Sequence, residues 1–386
     1  MSGTAETTSA DADAAGACAE AAGAKAAGAE AVSALGGLHV GDRRVATYRS
    51  GAGVATHLAP RPHLHPVTTL RGTPVTDCRP EDHRWHLGVS VAVQDVAGNN
   101  LWGGRTYVRD LGYQWRDDHG VMRHDAWIAR AGGHLAHHVR WLARDGAPLV
   151  RETRMLDARA LPSGQGWTLT WRSLLEPAGT AAVELGSPGT NGRHNAGYGG
   201  FFWRLPQSTG PVAVFTDDAQ GEDAVHGRPA PWLAFAAAGA GAVADIGADA
   251  DATDSPDATR APGTADGAPA APDTAARPYT LVFEPDDPRT AGDPWFVRVA
   301  GYPGVGSALA FDQVLTLEPG TTTTVGMRVH VVDGRLDRAG VAALRAAAAE
   351  AHAAAGARAP GDDRAPGDDR VPGDNRAPGD DRHLDS

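Results

Sequence analysis

Alternation of apolar and polar residues, without a helical period, is the feature that most constrains the fold of this chain. Residues 134–175 contain three long extended runs, separated by the turn sequences Arg-Asp-Gly at 144–146 and Pro-Ser-Gly at 162–164. In the third run, residues 167–173, Trp and Leu alternate with Thr and Arg, which gives the strand one apolar and one polar face. Such a meander predicts an antiparallel sheet that packs on one side.

The 386 residues divide into a middle part that is predicted to fold and three segments whose amino-acid composition is strongly biased. Residues 1–36 are rich in Ala and lack aromatics, residues 247–277 are Ala, Asp, Pro, Thr and Gly, and residues 357–386 repeat the unit RAPGDD. Segments of this kind cannot bury enough apolar surface to fold, so we predict disorder in all three. A β-sandwich domain is predicted over 37–334, with the second segment as an insert, and a helix over 335–356.

The predicted fold class is therefore all-β: a large antiparallel β-sandwich with one C-terminal helix and disordered tails. Asp337 is the expected N-cap of the helix.

Charge and composition also exclude several partners. The net charge of -12 argues against a nucleic-acid ligand, which requires clustered positive charge. The sequence contains no run of about 18 apolar residues, so no membrane-spanning helix is predicted. The N-terminus lacks the pattern of a secretory signal. Cys18 and Cys78 form no disulfide framework. We expect a soluble cytoplasmic protein, and the sequence does not indicate its oligomeric state.

A candidate site lies in residues 80–107, where His83 and His86 precede a strand. Residues 87–93 place Leu and Val on one face. The opposite face carries His86, Gly88, Ser90, Ala92 and Gln94. Small and polar residues beside a histidine predict the wall of a pocket. The alternative is that His86 caps an ordinary half-exposed strand.

A glycine-rich loop at 186–200 carries Arg193, His194, Asn195 and Tyr198. A phosphate-binding loop is excluded because a strand, not a helix, follows it. Loops above an open sheet commonly carry binding residues, and we predict that these four contact a substrate.

Histidines at 63 and 65 precede Pro66 in extended chain, and side chains two residues apart there point to one side. They form either a metal-binding pair or two solvated histidines in a proline-rich connection.

The pattern Asp82-His83-x-x-His86-x-Gly88, followed by Val96, Gly98 and Trp102, resembles the PmoA-like family of soluble bacterial proteins, which is named after a methane monooxygenase subunit. The resemblance spans residues 61–334. It implies a sandwich similar to the galactose-mutarotase-like supersandwich and a role in sugar use.

Sugar epimerases and lyases on such folds need a proton donor and an acceptor on opposite sides of the ring. We predict His83 or His86 as the acid and Glu152 or Glu184 as the base. Arg105, Arg154 and Arg193 are expected to hold hydroxyls or a carboxylate, and Trp102 or Trp85 to stack on the sugar. The alternative for Glu152 is an ion pair with Arg154, which shares its face.

The leading hypothesis is thus a sugar-processing enzyme, an epimerase, lyase or hydrolase that acts on a small sugar or sugar acid without a cofactor or metal. The first alternative is a non-catalytic carbohydrate-binding protein. The second is a metal-dependent oxidoreductase with His63, His65, His83 and His86 as ligands.

Overall fold

The computed structural model describes residues 34–239 and 277–357, which form twenty β-strands and two α-helices. The first ten strands are β1 (Ala34–Val40), β2 (Arg43–Arg49), β3 (His63–Val67), β4 (Val89–Ala92), β5 (Asp95–Val96), β6 (Thr106–Val108), β7 (Gly112–Gln114), β8 (Val121–Ala131), β9 (His134–Leu142) and β10 (Pro148–Ala160). The next ten are β11 (Gly166–Pro177), β12 (Val183–Gly186), β13 (Gly200–Arg204), β14 (Val212–Phe215), β15 (Leu233–Ala237), β16 (Tyr279–Pro285), β17 (Trp295–Arg298), β18 (Gly304–Ala308), β19 (Leu315–Leu317) and β20 (Thr323–Asp333). The helices are α1 (Glu222–Val225) and α2 (Arg338–Ala357), and 3-10 turns lie at Thr56–Leu58, Glu81–His83 and Thr290–Gly292.

Hydrogen bonding groups these strands into two large and two small sheets. The seven-stranded sheet has the order β1-β2-β3-β4-β13-β18-β17, and the eight-stranded sheet has the order β14-β15-β16-β20-β11-β10-β9-β8. The small sheets are β19-β12-β5 and β6-β7. Strands β9, β10 and β11 pair antiparallel in sequence order, as the meander over 134–175 predicted. The predicted all-β, antiparallel fold class is confirmed.

The two large sheets bury their facing sides against each other. Val89 and Val91 of β4 belong to the same apolar cluster as Trp171 of β11 and Val329 of β20, and all four are fully buried. Each such side chain contributes roughly 1.5–3 kcal/mol when it leaves water. Of the apolar face predicted for residues 87–93, Val89, Val91 and Val93 belong to this core, and Leu87 is also fully buried.

The seven-stranded sheet is also covered on its outer side. Because residues alternate along a strand, Ala92, Phe202 and Phe296 point away from the core, and they form a second buried cluster. Trp102 and Tyr198, from loops, pack onto them. This outer layer positions the candidate site.

Helix α2 packs against the outer side of the eight-stranded sheet, where Val341 is buried with Val282 and Trp232. Its N-terminus is capped as predicted, since Asp337 Oδ1 accepts a hydrogen bond from the N–H of Gly340 at 2.8 Å. Neither described helix is long and apolar enough to cross a membrane.

Strand β1 begins at Ala34, three residues inside the segment predicted as a tail. A strand can be paired without aromatic residues when it lies at the edge of a sheet, and among the described strands β1 pairs with β2 alone. The rest of that segment, nearly all of the predicted insert and the repeat tail lie outside the described residues.

Candidate functional site

A cavity of about 790 Å³ lies above the outer layer of the seven-stranded sheet. Its aromatic lining consists of Trp85, Trp102, Tyr113, Trp115, Tyr198, Phe296 and Tyr302. Its ionisable lining consists of Glu81, Asp82, Arg84, Arg105, Arg193, Arg298 and the histidines 57, 83 and 86. The volume falls within the range of about 300–1,000 Å³ typical of small-molecule sites.

The loop that carries Trp102 is held by Asn100 and two glycines. Asn100 Oδ1 accepts hydrogen bonds from the N–H groups of Trp102 at 2.9 Å and Gly103 at 2.8 Å. Gly103 and Gly104 have φ angles of 101° and 70°, and a Cβ on Gly104 would lie 2.7 Å from the Trp85 ring. Glycine is therefore required for Trp85 to reach the cavity wall.

Arg61 fixes the same two aromatic loops from below. Its guanidinium is fully buried and donates to Ser90 Oγ and to the carbonyl oxygens of Ala59, Trp102 and Trp85 at 2.8–3.0 Å. Desolvation lowers its pKa to about 9, so the group stays charged at neutral pH. The Arg61 side chain, bonded to Ser90, thus occupies part of the polar face predicted for β4. That part of the face is not open to a ligand.

His83 is the partly exposed histidine of the cavity, and it is paired with the neighbouring carboxylate. Its Nδ1 lies 2.7 Å from Asp82 Oδ2, and its side chain is 27% exposed. The ring is in contact with Tyr302, with centroids 4.3 Å apart, and is stacked on His86 at 4.7 Å. A carboxylate on Nδ1 favours the tautomer that carries its proton there, which leaves Nε2 as the reactive nitrogen.

Arg204, at the end of β13, lies on the other side of Asp82. Its Nη2 is 3.6 Å from Asp82 Oδ1 and 4.0 Å from Asp77 Oδ2, and its guanidinium is 5.2 Å from the centre of the Tyr302 ring. None of its three guanidinium nitrogens has a hydrogen-bond partner among the described residues, although the side chain is fully buried. Buried polar groups without partners are rare, and they cluster at functional sites.

His86 is fully enclosed behind His83. It is 1% exposed, its Nδ1 has no hydrogen-bond partner in the described part of the chain, and its ring contacts Phe202 at 4.9 Å. Desolvation, and then the positive charges of His83, Arg204 and Arg61, hold its pKa well below the usual value. This environment disfavours the protonated form of His86, and its role as the acid stays a prediction.

Several predicted site residues do lie together in the cavity. They are His83, His86, Trp102, Arg105, Arg193 and Tyr198. Their assigned roles stay predictions, but their common location is a property of the fold.

Glu152 and Arg154 do not line this cavity, and their predicted roles as base and substrate ligand are corrected by the structure. Both side chains are fully buried, and Arg154 donates to the two Glu152 oxygens at 2.6 and 2.9 Å. Trp141 Nε1 and Ser173 Oγ also donate to Glu152, at 2.8 and 2.5 Å. Both oxygens of Glu152 thus have hydrogen-bond partners inside the core, and Glu152 and Arg154 form a structural ion pair. This is the alternative predicted from their position on the same face of one strand.

Glu184, His194 and Asn195 also lie outside the cavity lining. Glu184 is exposed on β12, in the three-stranded sheet, and His194 is exposed in the glycine-rich loop. Asn195 is exposed and contributes its backbone carbonyl, which accepts from His226 Nε2 at 3.0 Å. The loop leaves the side chains of His194 and Asn195 outside the cavity, whereas Arg193 and Tyr198 line it.

The two histidines proposed as a metal pair are buried and separately bonded. His63 Nδ1 donates to the carbonyl of Arg61 at 2.9 Å, and His65 Nδ1 is 3.0 Å from Thr76 Oγ1. Desolvation lowers both pKa values to about 3. In residues 34–239 and 277–357 no three His, Cys, Asp or Glu side chains are arranged to hold a metal ion. The convergence that the oxidoreductase hypothesis requires is not found there.

Sequence reasoning missed several residues of the site, among them Tyr113, Trp115, Arg204, Phe296, Arg298 and Tyr302. A signal existed for two pairs, because Tyr113 and Trp115 stand two residues apart in an extended segment, as do Phe296 and Arg298 on β17. Arg204 and Tyr302 gave no local signal, since they meet His83 only through the pairing of distant strands.

Comparison with known proteins identifies the family but no activity. No curated protein matches this chain. The resemblance to PmoA-like proteins and to galactose mutarotases therefore stays a prediction. A family profile described as a family of unknown function, DUF6807, matches residues 37–346, which cover nearly all of the sandwich and the start of α2. Because this match spans most of its length, the chain belongs to the DUF6807 family.

Proposed function

We propose that this protein is an acid–base enzyme that acts on a small sugar bound in the cavity, with His83 as the proton-transfer residue. The observation that carries the proposal is the 2.7 Å contact between His83 Nδ1 and Asp82 Oδ2 inside a cavity lined by aromatic rings. A histidine side chain can both accept and donate a proton in enzyme catalysis. Asp82 would orient its ring, as the third group of a catalytic triad does.

The aromatic lining supports a sugar as the ligand. Sugar rings present apolar C–H faces that pack on aromatic side chains, and their hydroxyl groups need hydrogen-bond partners at the edges. The cavity lining includes the rings of Trp85 and of the nearly buried Trp102, together with the phenols of Tyr113 and Tyr198, whose oxygens lie 2.9 Å apart. This combination of flat apolar surface and peripheral polar groups suits a monosaccharide.

The test follows sugars by proton NMR in D₂O in the presence of the full chain. A panel of neutral and acidic monosaccharides and their glycosides is monitored for interconversion of anomers, loss of C–H signals through deuterium exchange, and cleavage products. We expect His83→Ala to lower the rate by about 10²–10⁴-fold, which is the usual contribution of a general acid or base. Asp82→Asn should lower it by about tenfold or more.

The matched control is His194→Ala, which removes an exposed histidine from the rim loop without touching the cavity. Its rate should equal that of the wild type, and circular dichroism should show that all variants fold. Full activity in His83→Ala would refute the assignment.

One observation favours the second candidate, a carbohydrate-binding protein without catalysis. Neither glutamate predicted as the base lies in the cavity, and Glu81 and Asp82 are the only carboxylates in its described lining. A sugar that binds in the same NMR samples, and is recovered without exchange, interconversion or cleavage, would support binding alone.

A further inference from the structure

The cavity is positively charged although the chain as a whole is acidic. Four arginines line it against two carboxylates, whereas the net charge of the chain is -12. The buried Arg204 adds a further cation directly behind Asp82. An excess of arginine in a partly enclosed space attracts anions.

Two of these arginines have no acidic partner. No carboxylate lies within salt-bridge distance of Arg105 or Arg193 in the described residues. Arg298 differs, because its Nη1 lies 3.6 Å from Glu222 Oε1 and donates to the carbonyl of Val297 at 2.7 Å. Arg105 and Arg193 are therefore the cations whose charge is left for a ligand.

Both guanidiniums are supported by aromatic rings on one segment of chain. Arg193 lies 4.8 Å from the centre of the Tyr113 ring and donates to its hydroxyl, and Arg105 lies 5.8 Å from the centre of the Trp115 ring. Tyr113 and Trp115 are two residues apart in and just after β7, so their side chains point to the same side. The two cations thus flank the same short segment of the cavity lining, residues 113–115.

We infer that the ligand of this cavity is a monosaccharide that carries a carboxylate, and that Arg105 and Arg193 bind this carboxylate. The inference rests on the proposed function, because it names the class of the sugar. A guanidinium beside a ring keeps N–H groups for a ligand, and its planar fork of N–H groups matches the two oxygens of a carboxylate. A neutral sugar would leave both charges unused.

A carboxylate also defines the chemistry open to His83. If His83 removes the proton from the carbon next to the carboxylate, the C–H bond breaks and its electron pair moves into the carboxylate as an enediolate. The proton resides on His83 Nε2, and its return to the same face of the carbon restores a neutral imidazole and gives back the sugar acid, which carries deuterium at that carbon when the proton has exchanged with D₂O. Arginines on the carboxylate stabilise the charge that develops.

The experiment measures binding of glucuronate, galacturonate and gluconate, with glucose and galactose as their neutral counterparts, by calorimetry on the full chain. At least one acid should bind the wild type at least tenfold more tightly than its neutral counterpart. Arg105→Gln and Arg193→Gln should each weaken binding of that acid by about ten- to hundredfold and leave neutral sugars unaffected, as expected for loss of one charge-assisted contact. Arg159→Gln, an exposed arginine on β10 outside the cavity lining, is the control.

Equal affinity for acids and neutral sugars, no binding of any acid, or the same loss in Arg159→Gln would overturn the inference. Equal binding of acetate and sulfate would overturn it as well, since it would reduce the site to an unspecific cation cluster. The two proposals fail separately. If an acid binds through both arginines but never exchanges its C–H proton in D₂O, the proposed catalysis is refuted and the inferred carboxylate ligand stands. If a neutral sugar is turned over in a reaction that depends on His83, the inferred carboxylate is refuted and the proposed catalysis stands.

Discussion

Two fully buried arginines of this protein, Arg154 and Arg204, have opposite surroundings. Arg154 donates three hydrogen bonds, two to Glu152 and one to the carbonyl of Pro62, and lies 4.7 Å from the centre of the Trp171 ring. Arg204 also lies beside a ring, that of Tyr302, but none of its nitrogens has a hydrogen-bond partner among the described residues. One is a completed part of the core and the other is an unsatisfied cation beside the cavity.

The difference shows how a structural charge can be distinguished from a functional one. Burial of a charge is tolerated in the core when every polar atom is bonded, because the bonds offset the cost of desolvation. Arg204 lacks such hydrogen bonds, and desolvation lowers its pKa although the charges of Asp82 and Asp77 act in the opposite direction. A cation that is not satisfied by the fold and lies next to Asp82 is better explained by the site than by stability.

The largest effect is expected from Arg154→Met, which keeps much of the volume but removes all three hydrogen bonds. It leaves Glu152 as a buried charge without its counterion, so the free energy of unfolding should fall by about 3–5 kcal/mol. Urea denaturation measures this change. A loss below about 1 kcal/mol would contradict the view that this pair is structural.

Buried histidines extend the comparison to pH. His65 has a pKa of about 3 in the folded protein and about 6.5 when unfolded, so the unfolded chain binds more protons between these values. Stability is therefore complete above pH 6.5 and is lost as the pH falls toward 3, by up to about 1.4 kcal/mol per pH unit for this residue.

Urea denaturation at a series of pH values tests this dependence. His65→Gln should reduce the slope of the unfolding free energy between pH 4 and 6, whatever its effect at pH 7. His194→Gln, at an exposed position, should leave the slope unchanged. An unaltered slope in His65→Gln would show that His65 is protonated in the folded state.

A smaller effect on stability is expected from Arg204→Met, the counterpart of Arg154→Met. No hydrogen bond is lost, and the ion-pair contacts with Asp82 and Asp77, at 3.6 and 4.0 Å, are longer than those of Arg154, so the free energy of unfolding should fall by clearly less than in Arg154→Met. Turnover of a sugar should fall by about tenfold, because Asp82 loses the cation 3.6 Å from its Oδ1 and with it part of its hold on His83. Destabilisation as large as that of Arg154→Met would remove the distinction between the two arginines.

The smallest effect is expected from Glu184→Gln. This glutamate is exposed and lies outside the cavity lining, so stability should change by less than about 0.5 kcal/mol and turnover should not change. Steady-state rates on the same sugar as above check this. A drop comparable to that of His83→Ala would restore Glu184 as the base.

The sequence predicted the sandwich because each strand carries its own pattern. The alternation in residues 87–93 and the meander over 134–175 are patterns of residues close together in the chain. Because each strand must bury its apolar face, few arrangements of the strands are possible. The pairing of Asp82 with His83 was within reach for the same reason, since the two are adjacent in the chain. The ion pair between Glu152 and Arg154 was also predicted, as an alternative, because the two residues lie on the same face of one strand.

What the sequence alone determined is the set of faces: which residues of each strand point together, and hence an antiparallel β fold with a helix capped by Asp337. The tertiary structure decided which of those faces became core and which became cavity. The choice depends on pairings between distant strands, such as β13 with β4 and with β18, that bring Arg204 and Tyr302 to His83. A period of two residues specifies the side of a strand but not what lies opposite it, and only the folded chain supplies the hydrogen bonds that complete Glu152 and leave Arg204 without any.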